Sequence, residues 1–210
     1  RVVAVEPDPR MAAVLGARAP AAAVVSGRAE ALPLAAGTFG AVVGSSMWHW
    51  VDPGPASREA ARVLRPGGVL GIVWSGPDRS HPWLGELLGA ARPAPVRSGP
   101  RPHRRRMDLA PEAPFSAPES RLVTWTLAVT PEDLVAMACT YSAFLILPAA
   151  EQQRRRRALD EQVRHHPDLA GQREIALPMR GLCWRARRLG SGPRRPPRAQ
   201  GETAEGDVRA

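Results

Sequence analysis

The sequence predicts an α/β fold built on an open, mostly parallel sheet. Three observations carry this reading. Short, continuous apolar runs (Val2 to Val5, Ala22 to Val25, Phe39 to Val43 and Val69 to Trp74) are the mark of strands buried on both faces. Segments with helical signals lie between them, which is the rhythm of strand, crossover helix and parallel strand. The segment Arg65-Pro66-Gly67-Gly68 stops a helix and leads straight back into a strand.

Taken in order, Val2 to Val5 is the first strand and ends on the acid Glu6. Pro9 to Ala17 reads as a helix, with Asp8 as N-cap and Pro9 at its first position. Ala22 to Val25 is the second strand. Gly37 marks a turn, and Phe39 to Val43 is the third. Asp52-Pro53-Gly54-Pro55 breaks the chain, Ala56 to Leu64 forms a helix, and Val69 to Trp74 is the fourth strand. At Arg65-Pro66-Gly67-Gly68, Pro66 presets φ and Gly67 takes a positive φ, so the chain reverses tightly. Pro82 to Ala91 forms one more helix. From Arg92 to Pro118 no period survives among Pro, Arg, Ala and Ser, so a long mobile loop is expected. Val123, Trp125, Leu127 and Val129 alternate with their neighbours as a strand with one apolar face. Thr130-Pro131-Glu132-Asp133 starts a helix by capping, proline placement and acidic residues at its positive end. Leu134, Met137, Ala138, Tyr141 and Leu145 continue it. Pro148 opens a helix with Leu159 and Val163 on its apolar side, and Leu182 to Leu189 is the final strand. Gly190 to Ala210 has almost nothing to bury and is expected to be disordered. The organisation is therefore a core over residues 1–91, a loop over 92–118, the rest of the same domain over 119–189, and a tail over 190–210.

The chain has 210 residues and a formal charge of +9, and its basic side chains other than histidine are all arginine. That composition is the pattern left by GC-rich bacterial coding. Arginines cluster at Arg101 and Arg104 to Arg106, at Arg154 to Arg157, and at Arg194, Arg195 and Arg198. Aromatic residues are not interleaved with them, so base stacking lacks a platform and nucleic-acid binding is disfavoured. Cys139 and Cys183 fit no metal or redox spacing, and no metal site is expected. No apolar run reaches the roughly 20 residues that span a bilayer, so no membrane association and a reduced, cytoplasmic setting are expected.

Two places carry chemistry. An acid at the carboxyl end of a parallel strand accepts the ribose hydroxyls of a nucleotide cofactor. Glu6 sits at such a place, a position that serves adenosine and nicotinamide cofactors alike and is also compatible with a plain solvated strand end. The segment Ser45, Ser46, Met47, Trp48, His49 follows another strand's carboxyl end, where open α/β sheets place ligands. His49 has the pKa range of a general base; its bland alternative is packing, with Trp50, against the next helix.

The stretches "RVVAVEPDPRM", "GRAEALPL", "FGAVVGSSMWHWVD" and "ARVLRPGGVLGIVW" together resemble the class I S-adenosylmethionine-dependent methyltransferases of the methyltransferase type 11 domain family. "GPDRSHPW", "TPEDLVAMACTYSAFLILP" and Ile175 to Arg188 extend the resemblance. It implies an incomplete Rossmann-like fold, mostly parallel with an antiparallel C-terminal strand. The Gly-rich first motif is absent, and the missing first strand belongs between Val2–Val5 and Phe39–Val43. The chain is expected to be an N-terminal truncation. The resemblance implies S-adenosyl-L-methionine as cofactor, held by Glu6, Pro7, Ala29, Glu30, Ser45 and Ser46. It also implies His49 beside an unknown, small-molecule methyl acceptor. The chain departs from the family at Arg28 and Gly40, where acids are usual. Without the Gly-rich turn, weak cofactor binding and impaired activity are expected. A non-catalytic, arginine-rich nucleic-acid module is the alternative. The Pro-Gly-Gly turn and "AEALPL" speak against a nicotinamide-dependent oxidoreductase.

Overall fold

The computed structural model describes residues 1–90 and 106–190. Its sheet is in two parts. Strand β1 (Val2–Glu6) pairs in parallel with β2 (Ala22–Ser26), in a register running from Val2 opposite Ala22 to Glu6 opposite Ser26. Helix α1 (Pro9–Arg18) makes the crossover, with Pro9 in its first turn and the Asp8 carboxylate accepting the Arg10 N–H at 2.8 Å. The second part contains β3 (Phe39–Ser45), β4 (Leu64–Pro77), β5 (Glu119–Val129) and β6 (Ile175–Arg187), in the order β3-β4-β6-β5. β3 and β4 are parallel, while β6 runs antiparallel to both its neighbours.

Among the described residues no ladder joins β1 to β3. The break falls where the resemblance places the first strand, and the flanking strands do not close it. No residue of β1, β2 or α1 is buried. The open edges therefore stay hydrated, and the heavy cost of burying unpaired backbone groups is not incurred.

Two apolar clusters stabilise the second part. Helix α2 (Pro53–Val63) packs Ala56 and Ala60 with Trp48, Leu64, Leu70, Ile72 and Trp74. Helices α3 (Pro82–Ala90), α4 (Pro131–Cys139) and α6 (Ala149–His165) enclose Leu84, Leu88, Leu134, Leu159, Val163 and the β6 residues Ile175 and Leu177. Leu159 and Val163 thus face inward, as their spacing predicts.

Several boundaries differ from the sequence reading. Asp52-Pro53-Gly54 is the capped first turn of α2, with Asp52 Oδ1 accepting the Gly54 N–H at 3.0 Å, and not a break before a later helix. β4 begins at Leu64 and includes the Pro-Gly-Gly turn, in which Gly67 has φ +78° as predicted. Gly68 has no room for a side chain there, since a Cβ would lie 2.8 Å from the Arg65 carbonyl oxygen. β6 starts seven residues earlier than Leu182. Pro178 hides this, because a proline argues against a central strand. It lies one step past the last β4 pairing, Pro77 with Met179, so its missing N–H breaks no ladder there. The helix expected to run to Leu145 ends at Cys139, where Thr140 bonds back to the Met137 carbonyl through both its N–H and its hydroxyl. A short helix α5 (Ser142–Leu145) then buries Phe144. The apolar face read in β5 is not covered: Val123, Trp125 and Leu127 are 41%, 40% and 45% exposed.

Of the loop expected over 92–118, residues 92–105 lie outside the described residues, as do 191–210 of the tail. The remainder is packed. Met107, Ala110 and Ala113 are buried, and the Ala110 N–H donates to the buried Ser57 hydroxyl at 3.0 Å. Side chains anchored singly, without a period, leave no signal in the sequence.

Candidate functional site

Glu6 ends β1 and is half-buried; its Oε1 accepts the Asp8 N–H at 3.0 Å, which orients the carboxylate at the carboxyl rim of the strand. Ser26 stands beside it at the end of β2. Pro7 is exposed between Glu6 and Asp8. The neighbouring Asp8 carboxyl is lowered to about 2, chiefly by its hydrogen bond from the Arg10 side chain. Both acids at this turn lie beside a helix N-terminus, which favours negative charge.

Ala29 and Glu30 lie in the segment after β2, which α2 clamps from the side. Glu59 Oε2 accepts the Leu32 N–H at 2.7 Å, and Arg62 donates to the carbonyls of Leu32 and Leu34, each at 2.8 Å. Ala29 packs against the α2 cluster. Glu30 Oε1 accepts the Asp52 N–H at 3.1 Å, and Oε2 lies 3.7 Å from Arg28. The side chain expected to read an adenine edge therefore also tethers the start of α2, and Arg28 pairs with it.

β3 delivers Ser45 and Ser46 to the same end of the second sheet. Ser46 has φ +51°, a left-handed conformation that costs a non-glycine residue roughly 1–2 kcal/mol. Its N–H still bonds the Val73 carbonyl at 2.7 Å, extending the pairing before the chain bends. A 3-10 turn, Trp48–Trp50, follows. Trp48 points inward and donates from Nε1 to the Asp108 carbonyl at 3.1 Å, whereas Trp50 is 78% exposed. Packing of Trp50 against the next helix is thus corrected: Trp48 takes the buried place. His49 is exposed, tilts against Trp50 at 5.1 Å between ring centroids, and accepts at Nδ1 from Trp74 Nε1 at 3.2 Å. A cleft of about 160 Å³ opens here, lined by Trp48, His49, Val51, Trp74, Arg106 and Asp108.

The structure thus groups Ala29, Glu30 and the loop from Ser45 to Asp52 about α2. Glu6 and Pro7 stand on the two-stranded unit, across the sheet break. Sequence reasoning missed Ser26, Trp74, Arg106 and Asp108. Ser26 was legible in principle, since it ends a strand one pairing from Glu6. Trp74 was not, because its bond to His49 links residues 25 apart by tertiary packing alone.

The donor set fits the adenosine half of the implied cofactor: a carboxylate at a parallel strand's rim for the ribose diol, backbone and an acid at the next rim position, and hydroxyls on the facing strand. Among the described residues no Gly-rich strand–helix turn is present for the amino-acid half. No group of three or more His, Cys, Asp or Glu that could hold a metal occurs among them either. Nor is any described helix long and apolar enough to cross a membrane. In α6, Glu151 pairs with both Arg154 and Arg155, which reduces the local positive charge.

Comparison with known proteins identifies the family. Residues 1–72 match a family model described as a methyltransferase domain. An uncharacterized methyltransferase of Mycobacterium tuberculosis is 39% identical over 188 residues, covering 88% of this chain and 73% of its own length. An uncharacterized methyltransferase of Schizosaccharomyces pombe is 28% identical over 169 residues, covering 79% of this chain and 66% of its own. Among solved structures, a protein of Anaeromyxobacter dehalogenans described as a type II methyltransferase aligns with a TM-score of 0.53 at 20% identity, over 90% of this chain and 81% of the other. The chain belongs to the class I methyltransferases, a family whose methyl donor is S-adenosyl-L-methionine.

Proposed function

We propose that this protein is a cytoplasmic methyltransferase that moves a methyl group from S-adenosyl-L-methionine to a small-molecule acceptor. The observation that carries the proposal is Glu6, a carboxylate fixed by the Asp8 N–H at the rim of a parallel strand. When bound, the cofactor supplies an electrophilic methyl on a sulfonium. Glu6 accepts the two ribose hydroxyls, with Pro7 shaping the turn beneath them. The Ala29 backbone and Glu30 meet the adenine edge. Ser45 and Ser46 lie toward the methionine end, where the bend at Ser46 clears the chain from the rim. His49 and the cleft beside it face the acceptor. Methyl transfer needs an in-line approach and exclusion of water more than a strong acid or base, and aromatic walls at Trp48 and Trp74 suit that.

The test is equilibrium dialysis of labelled S-adenosylmethionine against the chain and its Glu6→Gln variant. A hydrogen bond to a charged group contributes about 1.5–3 kcal/mol, so Glu6→Gln is expected to weaken binding by about tenfold or more. Equal affinity of the two proteins overturns the role of Glu6.

A further inference from the structure

Strand β5 carries an inference that does not depend on the methyl-transfer reading. It ends the order β3-β4-β6-β5, so among the described residues a ladder runs along one side of its backbone only. An open edge presents a row of N–H and C=O groups to any strand that can pair with it. Proteins blunt such edges with proline, charge or a bulge. From Leu122 to Val129 β5 holds no proline, glycine or charged residue. Its register with β6 runs without a shift from Glu119 opposite Arg185 to Val129 opposite Ile175. Every residue of the strand before Val129 is exposed. The Trp125 ring lies against Gly181, where a Cβ would come within 3.2 Å of it.

The order of side chains says which partner fits. About Trp125 the strand is close to a palindrome: Thr124 and Thr126 flank it, then Val123 and Leu127, then Leu122 and Ala128. A two-fold interface has to be complementary to itself. Two copies of β5 paired antiparallel, with Trp125 on the two-fold axis, set Trp125 opposite Trp125, Thr124 opposite Thr126 and Val123 opposite Leu127. Aromatic, Thr–Thr and aliphatic pairs of this kind stabilise antiparallel sheets. The charges at the ends fit the same register. Arg121 falls opposite Val129 of the second copy, where that chain runs on through Thr130 and Pro131 to the exposed acids Glu132 and Asp133 in the first turn of α4. Glu119, the acid nearest Arg121 on its own strand, is paired with Arg185 at 2.8 Å. We propose that a second copy of this chain docks on β5, edge to edge and antiparallel about Trp125, so that two four-stranded sheets become one of eight strands.

The test is sedimentation of the full chain over a range of micromolar concentrations at low salt, where surface charges are least screened. The unaltered chain is expected to show a monomer–dimer equilibrium. Arg121→Glu sets like charges against Glu132 and Asp133 of the second copy. The double variant Glu132→Arg with Asp133→Arg sets like charges against Arg121. Each alone is expected to lose the dimer, and an equimolar mixture of the two, in which the charges match at both ends, to restore it. A monomer at every concentration of the unaltered chain, association into open-ended larger species, or a mixture that stays monomeric while both variants keep the native circular dichroism overturns the proposal. A second pair of variants reads the register without altering charge and decides the matter where the charge variants do not fold. Opposed positions of an antiparallel pair lie within disulfide reach. Thr124→Cys mixed with Thr126→Cys is therefore expected to give, on mild oxidation, a peptide bridged between positions 124 and 126, identified by mass spectrometry. The absence of that bridge overturns the proposal.

Discussion

Ser57 shows how one side chain ties together segments that the sequence leaves apart. It is fully buried, at 0% exposure, in the middle of α2. Its hydroxyl lies 2.6 Å from the Pro53 carbonyl, to which it donates, and it accepts the Ala110 N–H at 3.0 Å. The second bond anchors the chain that also carries Arg106 and Asp108 to the cleft. Replacing Ser57 by alanine leaves the buried Ala110 N–H without its acceptor, a loss of about 1–3 kcal/mol. Ser57→Ala is therefore expected to lower the unfolding free energy by that amount, read as a lower urea midpoint, while leaving the overall fold intact. An unchanged midpoint would show that water replaces the hydroxyl. Ser57 carries no sequence signal of this role, because a serine on the inner face of a helix looks like a neutral small residue. Glu6 is the opposite case. Its place at the end of β1 was legible because it follows from a local pattern, an acid at the end of an apolar run.

Among the elements, α2 does the most to place the candidate site. Its Glu59 and Arg62 hold the segment after β2 through the Leu32 N–H and the Leu32 and Leu34 carbonyls, and its first turn receives Glu30 through the Asp52 N–H. Glu59 is held below its ordinary value of 4.5, first by its hydrogen bond from Arg62, against an opposing effect of burial. A carboxylate whose folded pKa is depressed contributes stability that is complete above its unfolded value and is lost as pH falls through the folded one. The unaltered chain is expected to lose stability between about pH 5 and pH 3 more steeply than Glu59→Gln. Chemical denaturation of both proteins at a series of pH values checks this, and parallel slopes would show that the Glu59–Arg62 pair is solvated in solution. Elements were legible where signals are local: Asp8 with Pro9 for α1, Thr130 with Pro131 for α4, and Gly67 for the entry to β4. They were misread where tertiary partners decide. The early start of β6 is fixed by pairing with β5 beyond the end of β4. The exposure of Trp125 depends on what packs over its face of the sheet, which its alternating neighbours cannot reveal.

At the scale of the molecule, the candidate cofactor site straddles a discontinuity. Glu6 belongs to a two-stranded unit without a buried residue, whereas Ser45, Ser46 and His49 belong to a four-stranded sheet with two apolar clusters. Regions with few buried apolar contacts open at lower free energy than the core. The β1–α1–β2 unit is therefore expected to unfold before the rest. The distribution of tryptophan makes this measurable: all six, from Trp48 to Trp184, lie outside that unit. Tryptophan fluorescence reports only the larger part, while far-ultraviolet circular dichroism reports both. In urea the dichroism is expected to begin falling before the fluorescence changes, so the two curves do not coincide, which is the signature of departure from two-state behaviour. A ligand that bridges Glu6 and the β3 rim binds only when both parts are folded, so it stabilises the weaker part by mass action in proportion to its free concentration over its dissociation constant. Saturating S-adenosylmethionine is therefore expected to draw the two curves together, and S-adenosylmethionine added to Glu6→Gln at the same concentration to do so less. Coincident curves without ligand would mean that the Glu30, Glu59 and Arg62 tethers are enough to fuse the two parts into one cooperative unit. Curves that stay apart at saturation would mean that the cofactor contacts only one side of the break, and the site would then have to be redrawn without Glu6.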